Sequence, residues 1–488
     1  MEGKDSRWNP LNANSGTQSK PLDLVRELGP WAATSIVVGT MIGTGIFIIP
    51  AEMARAAGSI SLVFAAWLVG GALSLFGALA YAELSAALPE AGGEYAFLSR
   101  AYGPKCGFLF GWMHCIVGSP TSIATIAAGS ARFCGFLFPA AAASIFAVKI
   151  RLPFAAAAYD FRLTWAQPVA VAAIAGITAI NYLGVRLGGR FQVALTAIKV
   201  AVILAVIGIG FWPGRGAHID FDFHRAAAAG GASAGTHSYF SGLLVALVAS
   251  LWAYDGWNNL PLVGSEIIRP EKNIPRALIG GVAAVAVLYM AVTAACFHVL
   301  PFDRVAASAH VVSDVMTQLL GYGAAAWLTA AMIVCALGAL NSSILTNARV
   351  DYAMARDGLF FRFVAGVNPK YRTPARALVF QGCFASILAL SGTFEELYSL
   401  YIFAAWIFYV LAVGAVWMLR RKEPNLPRPY RTWGYPVLPV LFVLGSLLVI
   451  GDVLAAHPYR CLAGTALTLS GLLFYRHWEK ARTDETVA

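Results

Sequence analysis

Residues 37–50 read V-V-G-T-M-I-G-T-G-I-F-I-I-P. The stretch is apolar enough for a membrane helix, yet Gly39, Gly43 and Gly45 fall within seven positions and Pro50 closes it. Glycine in a helix interior costs roughly 0.8–1 kcal/mol relative to alanine. Such a segment either packs closely against a neighbouring helix or stops and restarts inside the bilayer.

The surrounding chain sets the solvent. Of 488 residues, 59% are hydrophobic and only 12% charged, and mean hydropathy is +0.68. Soluble domains carry about 25% charged residues. Apolar runs of about 20 residues, enough to cross a ~30 Å hydrocarbon core, recur from end to end. Twelve spans are expected, at roughly 31–55, 60–83, 107–133, 164–183, 188–211, 239–265, 277–300, 324–348, 375–391, 396–419, 435–455 and 461–477. This is the pattern of an all-α polytopic membrane protein. The first thirty residues are polar, which predicts a cytoplasmic tail and not a cleaved leader.

Basic residues give the orientation. With the N-terminus inside, 25 of the 35 Lys and Arg fall in cytoplasmic segments and nine outside, and Lys199 lies within the membrane. That bias predicts both termini inside and accounts for the net charge of +10 without a nucleic-acid partner. The seven cysteines are scattered singly and the eight histidines dispersed. No metal site, cofactor or enzyme constellation is expected from them.

A second anomaly sits five spans later, Trp252-Ala253-Tyr254-Asp255-Gly256-Trp257-Asn258-Asn259, followed by Pro261. A carboxylate, a glycine, two amides and a proline are tolerated at membrane depth only inside protein or against a cavity. Spans 1 and 6 are separated by an odd number and so cross in opposite directions. Two interrupted helices at corresponding places in two halves point to an inverted-repeat transporter with a midplane site. Gly39 and Gly43 suit close packing; adjacent Gly43-Thr44-Gly45 face different sides and suit a break.

G-T-M-I-G-T-G-I-F-I-I-P at 39–50 resembles the first-span motif of the amino acid–polyamine–organocation superfamily. The resemblance continues through Y-A-E-L at 81–84, P-E-A-G-G-E-Y at 89–95, L-W-A-Y-D-G-W-N-N at 251–259 and E-I-I-R-P-E-K-N-I-P-R-A at 266–277. It extends through A-L-N-S-S-I-L-T at 339–346 and A-R-D-G-L-F at 355–360, and is most similar to L-type amino acid transporters and their prokaryotic relatives. It implies a LeuT-type 5+5 inverted repeat with discontinuous helices 1 and 6, plus two C-terminal helices. The expected divisions are a tail over 1–30, repeats over 31–211 and 212–420, the last two spans over 421–478 and a cytoplasmic tail over 479–488. It also implies secondary transport of L-amino acids across the plasma membrane by alternating access, with amino acids and the bilayer as partners.

An amino acid offers a carboxylate and an ammonium. A break at Gly43-Thr44-Gly45 exposes N–H groups at the start of the second half-helix, where the dipole favours an anion, so Thr44 and Gly45 are the expected carboxylate ligands. Carbonyls ending the first half-helices suit the ammonium: Met41 and Ile42 in span 1, Trp252 and Asp255 in span 6. The wider candidate set includes Gly43, Ala253, Tyr254 and Gly256. Trp252 matches the family's aromatic gate. Asp255 either faces the ammonium or caps a half-helix beginning near Gly256. Ser119, Pro120, Ser122, Asn341, Ser343 and Trp406 are candidate lining residues; Ser343 and Trp406 fall at family pocket positions. His114 is expected to be satisfied interior packing.

Lys199 lies roughly 14–18 Å from either end of its span at 1.5 Å per residue, too deep to snorkel. The resemblance places it at the second sodium site of sodium-coupled relatives, bridging carbonyls near Gly43 to span 8 around Asn341 and Ser342. A fixed cation there implies sodium-independent exchange or proton linkage. The family's light subunits carry a cysteine after L-F-P; here Phe136-Leu137-Phe138-Pro139 is followed by Ala140-Ala141-Ala142-Ala143. No disulfide-linked heavy chain is therefore expected. The alternatives are a polyamine or organocation permease and a proton-coupled symporter.

Overall fold

The computed structural model describes residues 23–137, 143–150, 159–212, 236–308, 310–392 and 394–487. Most of the expected N-terminal tail, and Ala140–Ala142 after the L-F-P motif, lie outside the described residues.

The first apolar stretch forms two helices, α1 (Pro30–Met41) and α2 (Ile49–Ala57), joined by a 3-10 turn at Gly45–Phe47. Pro30 opens α1 at N1, where its missing N–H costs nothing. α3 (Ile60–Ala87) follows, capped by the Ser59 hydroxyl accepting from the Leu62 amide at 3.2 Å. Next come the short α4 (Glu94–Tyr102) and α5 (Pro104–Met113), then a π-helical turn at His114–Gly118 leading into α6 (Ser119–Leu137).

An antiparallel hairpin, β1 (Ser144–Ile150) with β2 (Tyr159–Thr164), precedes α7 (Ala166–Tyr182) and α8 (Val185–Gly210). Hydropathy gave no sign of these strands. The second half continues with α9 (Thr236–Tyr254), α10 (Pro270–Val299), α11 (Phe302–Ala307), α12 (Val311–Leu320) and α13 (Tyr322–Arg356). It ends with α14 (Ala375–Ser391), α15 (Phe394–Lys422), α16 (Val437–Ala456) and α17 (Pro458–Val487).

Among the described residues six helices are long and apolar enough to cross a bilayer: α3, α8, α10, α16, and the apolar parts of α13 and α15. One expectation changes. Span 6 does not resume as an α-helix near Gly256; it continues as 3-10 turns at Trp257–Leu262 and Gly264–Glu266, because Asn258, Asn259 and Pro261 cannot sustain an apolar α-helix there. α17 runs on past the last expected span to Val487, through helix-favouring Glu, Lys, Ala and Arg. At the centre, α1 packs against α8 and α10, α3 against α9 and α10, and α13 against α6 and α8. Both interrupted segments are thereby enclosed by protein.

Candidate functional site

The two interruptions meet. Gly256 holds φ +108°, a left-handed conformation that costs an L side chain, and a Cβ there would lie 2.6 Å from the Thr40 methyl. Glycine is thus required for span 6 to turn and for span 1 to touch it. Above this contact lies a cavity of about 840 Å³. Its wall carries Thr40, Met41, Gly43, Thr44 and Gly45 from the first break, and Trp252, Ala253, Asp255 and Gly256 from the second. α6, α13 and α15 complete it, with Ser122, Ser343, Asn347 and Tyr409 among the lining side chains. The cavity extends toward Phe133, His310 and Thr317.

At the first break the Gly43 amide turns back to the Met41 carbonyl at 2.9 Å, and the Phe47 and Ile48 amides close onto Thr44 and Gly45. The N–H groups of Thr44 and Gly45 have no hydrogen-bond partner among the described residues. Unpaired backbone donors are rare in folded interiors, and these two border the cavity. A Cβ on Gly45 would sit 3.0 Å from the Trp252 ring. The indole therefore lies against the donors and is partly exposed.

The carbonyls are less free than the sequence suggests. The Tyr289 hydroxyl, from α10, donates to Met41 at 2.6 Å and lies 3.1 Å from the Ala253 carbonyl. Ile42 does not line the cavity; its carbonyl accepts from Lys199 at 2.6 Å. Tyr254 points away, buried against Trp67 and Tyr289, with its hydroxyl donating to the Trp67 carbonyl at 3.2 Å. Trp406 also lies outside the lining, edge-on to Tyr409 at 5.7 Å. Of the selectivity candidates, Ser119 is bonded to Gln381 at 2.9 Å instead, and Pro120 does not reach the cavity.

Lys199 is fully buried, and its ammonium donates to the carbonyls of Gly39 and Ile42, both at 2.6 Å. It passes against Gly338, where a Cβ would lie 2.6 Å from its side chain. Asn341 and Ser342 do not meet it. The Asn341 amide donates to Gln192 at 2.8 Å and accepts from Asn181 at 2.9 Å, while the Ser342 hydroxyl joins Thr40 and the Ile36 carbonyl. The lysine and the α13 hydroxyl thus both hold the end of α1 that leads into the break.

A polar chain leads away from Asp255. Tyr409 donates to Asp255 at 3.2 Å and accepts from Asn258 at 3.2 Å. Asn258 also donates to Glu94 at 3.0 Å, and Tyr81 donates to the same carboxylate oxygen at 2.9 Å. Glu94, in a short helix outside the apolar spans, is pushed up to about 7 by burial; the bonds from Asn258 and Tyr81 draw it partly back, and the nearby Asp255 adds to the rise.

Away from the cavity, the segment that follows the second break is fastened at several points. Arg349 and Glu266 form a buried two-bond ion pair at 2.6 and 3.0 Å, and the Glu266 carbonyl accepts from the amides of Glu27 and Leu28. The Gly92 amide donates to the Leu262 carbonyl at 2.9 Å, fastening the 89–95 loop under span 6. The lone Tyr289 of an apolar span carried no signal, and Glu94 was visible only as part of a motif.

Known proteins align with this arrangement. A family model described as amino acid permease matches residues 28–459. The serine/threonine exchanger SteT of Bacillus subtilis is 31% identical, over 94% of this chain and 98% of its own length. The b(0,+)-type amino acid transporter 1 of Mus musculus is 30% identical, over 94% and 89% respectively. The large neutral amino acids transporter small subunit 2 of Homo sapiens is 29% identical, over 96% and 84%. These relatives are named as transporters and exchangers, not enzymes. With most of its length matched and two interrupted segments built around one cavity, this chain belongs to the amino acid permease family.

Proposed function

We propose that this protein is a sodium-independent exchanger of free L-amino acids, neutral ones foremost, working by alternating access in the plasma membrane with both termini cytoplasmic. The observation that carries the reading is the pair of unpartnered amides at Thr44 and Gly45, facing a cavity whose opposite edge holds Asp255. The amides suit a carboxylate. The Trp252 carbonyl and Asp255 suit the ammonium, and Asp255 is the feature that would admit a cationic side chain as well. The twelve-span 5+5 arrangement and the divisions at 30, 211, 420 and 478 belong to the same reading, as does independence of a heavy chain.

Lys199 supplies the argument on sodium. Its ammonium already satisfies the carbonyls of Gly39 and Ile42, so a fixed charge stands where a coupling cation would bind. Exchange is the activity named for SteT. Purified protein in liposomes preloaded with unlabelled amino acid should take up labelled threonine by trans-stimulation, unchanged when sodium is replaced by choline. Sodium-stimulated uptake, or flux without saturation, would contradict it. An organocation permease is the second reading, favoured by two carboxylates along the cavity, Asp255 and Asp314.

A further inference from the structure

His114 was expected to be satisfied packing, and it is not. The imidazole is buried and borders the cavity, and neither ring nitrogen has a hydrogen-bond partner among the described residues. A buried polar group left unpaired costs about 1–3 kcal/mol and calls for an explanation. Aromatic rings flank it: Phe110 stacks on one face at 5.5 Å and Tyr401 meets it at 6.4 Å.

The backbone here is also unusual. His114 opens the π-helical turn at His114–Gly118, which adds a residue to the helical turn and re-aims its side chains. Such single turns occur frequently at functional sites. The turn ends at Gly118, where a Cβ would lie 2.1 Å from the Tyr401 ring. Tyr401, itself a cavity residue, is thus brought against the same turn. A buried amide, Asn347, lines the cavity from α13, with its oxygen accepting from the Thr346 hydroxyl at 3.4 Å.

We propose that His114 belongs to the subsite for the substrate's side chain, which takes an uncharged hydroxyl or carboxamide. This rests on the amino acid transport reading above. A neutral imidazole offers one donor and one acceptor, the pair that a hydroxyl or carboxamide complements and an aliphatic side chain does not. A site built to bond a hydroxyl rejects the analogue lacking it, because its own polar groups then stay unpaired. Threonine and valine differ in that one group.

Ligand-induced thermal stabilisation of the purified protein in detergent reads the subsite without needing transport. Wild type should bind threonine more tightly than valine. H114F keeps the ring stack and removes both nitrogens, and should lower the threonine-to-valine affinity ratio by about tenfold, the worth of one hydrogen bond. H114Q, which retains a donor and an acceptor, should restore part of it and remains informative if H114F does not fold. A ratio unchanged in the folded variant, or a wild type indifferent between the two ligands, overturns the proposal. Failure of wild type to exchange in liposomes while the ratio shifts would instead count against the transport reading.

Discussion

At the residue scale, glycine and lysine do different work at one break. Gly256 is needed for both its backbone angle and its contact with Thr40. G256A forces a left-handed alanine whose Cβ would lie only 2.6 Å from the Thr40 methyl, and strained backbone alone costs of order 1–3 kcal/mol. The expected result is a lowered thermal midpoint and loss of counterflow together. Lys199 satisfies two carbonyls that the interruption of span 1 leaves bare. K199M preserves bulk but strands them, at about 1–3 kcal/mol, so both thermal midpoint and exchange should fall. A K199M protein as stable and active as wild type would show that the ammonium is not what holds the break.

At the element scale, the two interrupted segments form one device whose parts were unequally legible. Gly43-Thr44-Gly45 and Asp255-Gly256 announced themselves by breaking apolar runs, and the structure brings both to the cavity. Tyr254, beside the second break, and Trp406, in α15, do not line the cavity, because helical phase, not composition, decides which face a side chain takes. Tyr289 could not be found at all, since one tyrosine in an apolar helix looks like packing until its two carbonyl neighbours are seen. Beneath the second break, Glu94 gives the element a pH response. Its pKa of about 7 lies above the usual carboxylate value, so the fold favours the protonated form. That stabilisation is full below about pH 4 and is lost as pH rises through about 7. The thermal midpoint should therefore fall between about pH 4.5 and 7, and E94Q should flatten that slope; an identical slope in E94Q would exclude Glu94 as its source.

At the scale of the whole molecule, the cavity extends toward Phe133 and Thr317 while the Arg349–Glu266 pair closes the segment after the second break. Removing one member of a buried ion pair typically costs about 3–5 kcal/mol, whereas replacing both with apolar groups of similar volume is often neutral. E266Q should thus destabilise far more than the double variant E266L/R349M, a non-additivity readable by thermal denaturation. This closure was invisible to hydropathy because it joins residues 83 positions apart. What hydropathy could read was the helical, membrane-spanning character and the place of the two breaks. The most direct test of amino acid recognition at those breaks is competition for labelled threonine counterflow by threonine, by its decarboxylated amine and by its N-acetyl derivative. Thr44 and Gly45 as carboxylate ligands require that the amine fails to compete, and an ammonium site at Trp252 and Asp255 requires that the N-acetyl derivative fails too; inhibition by the amine as strong as by threonine itself would contradict the carboxylate cradle and favour an organocation permease.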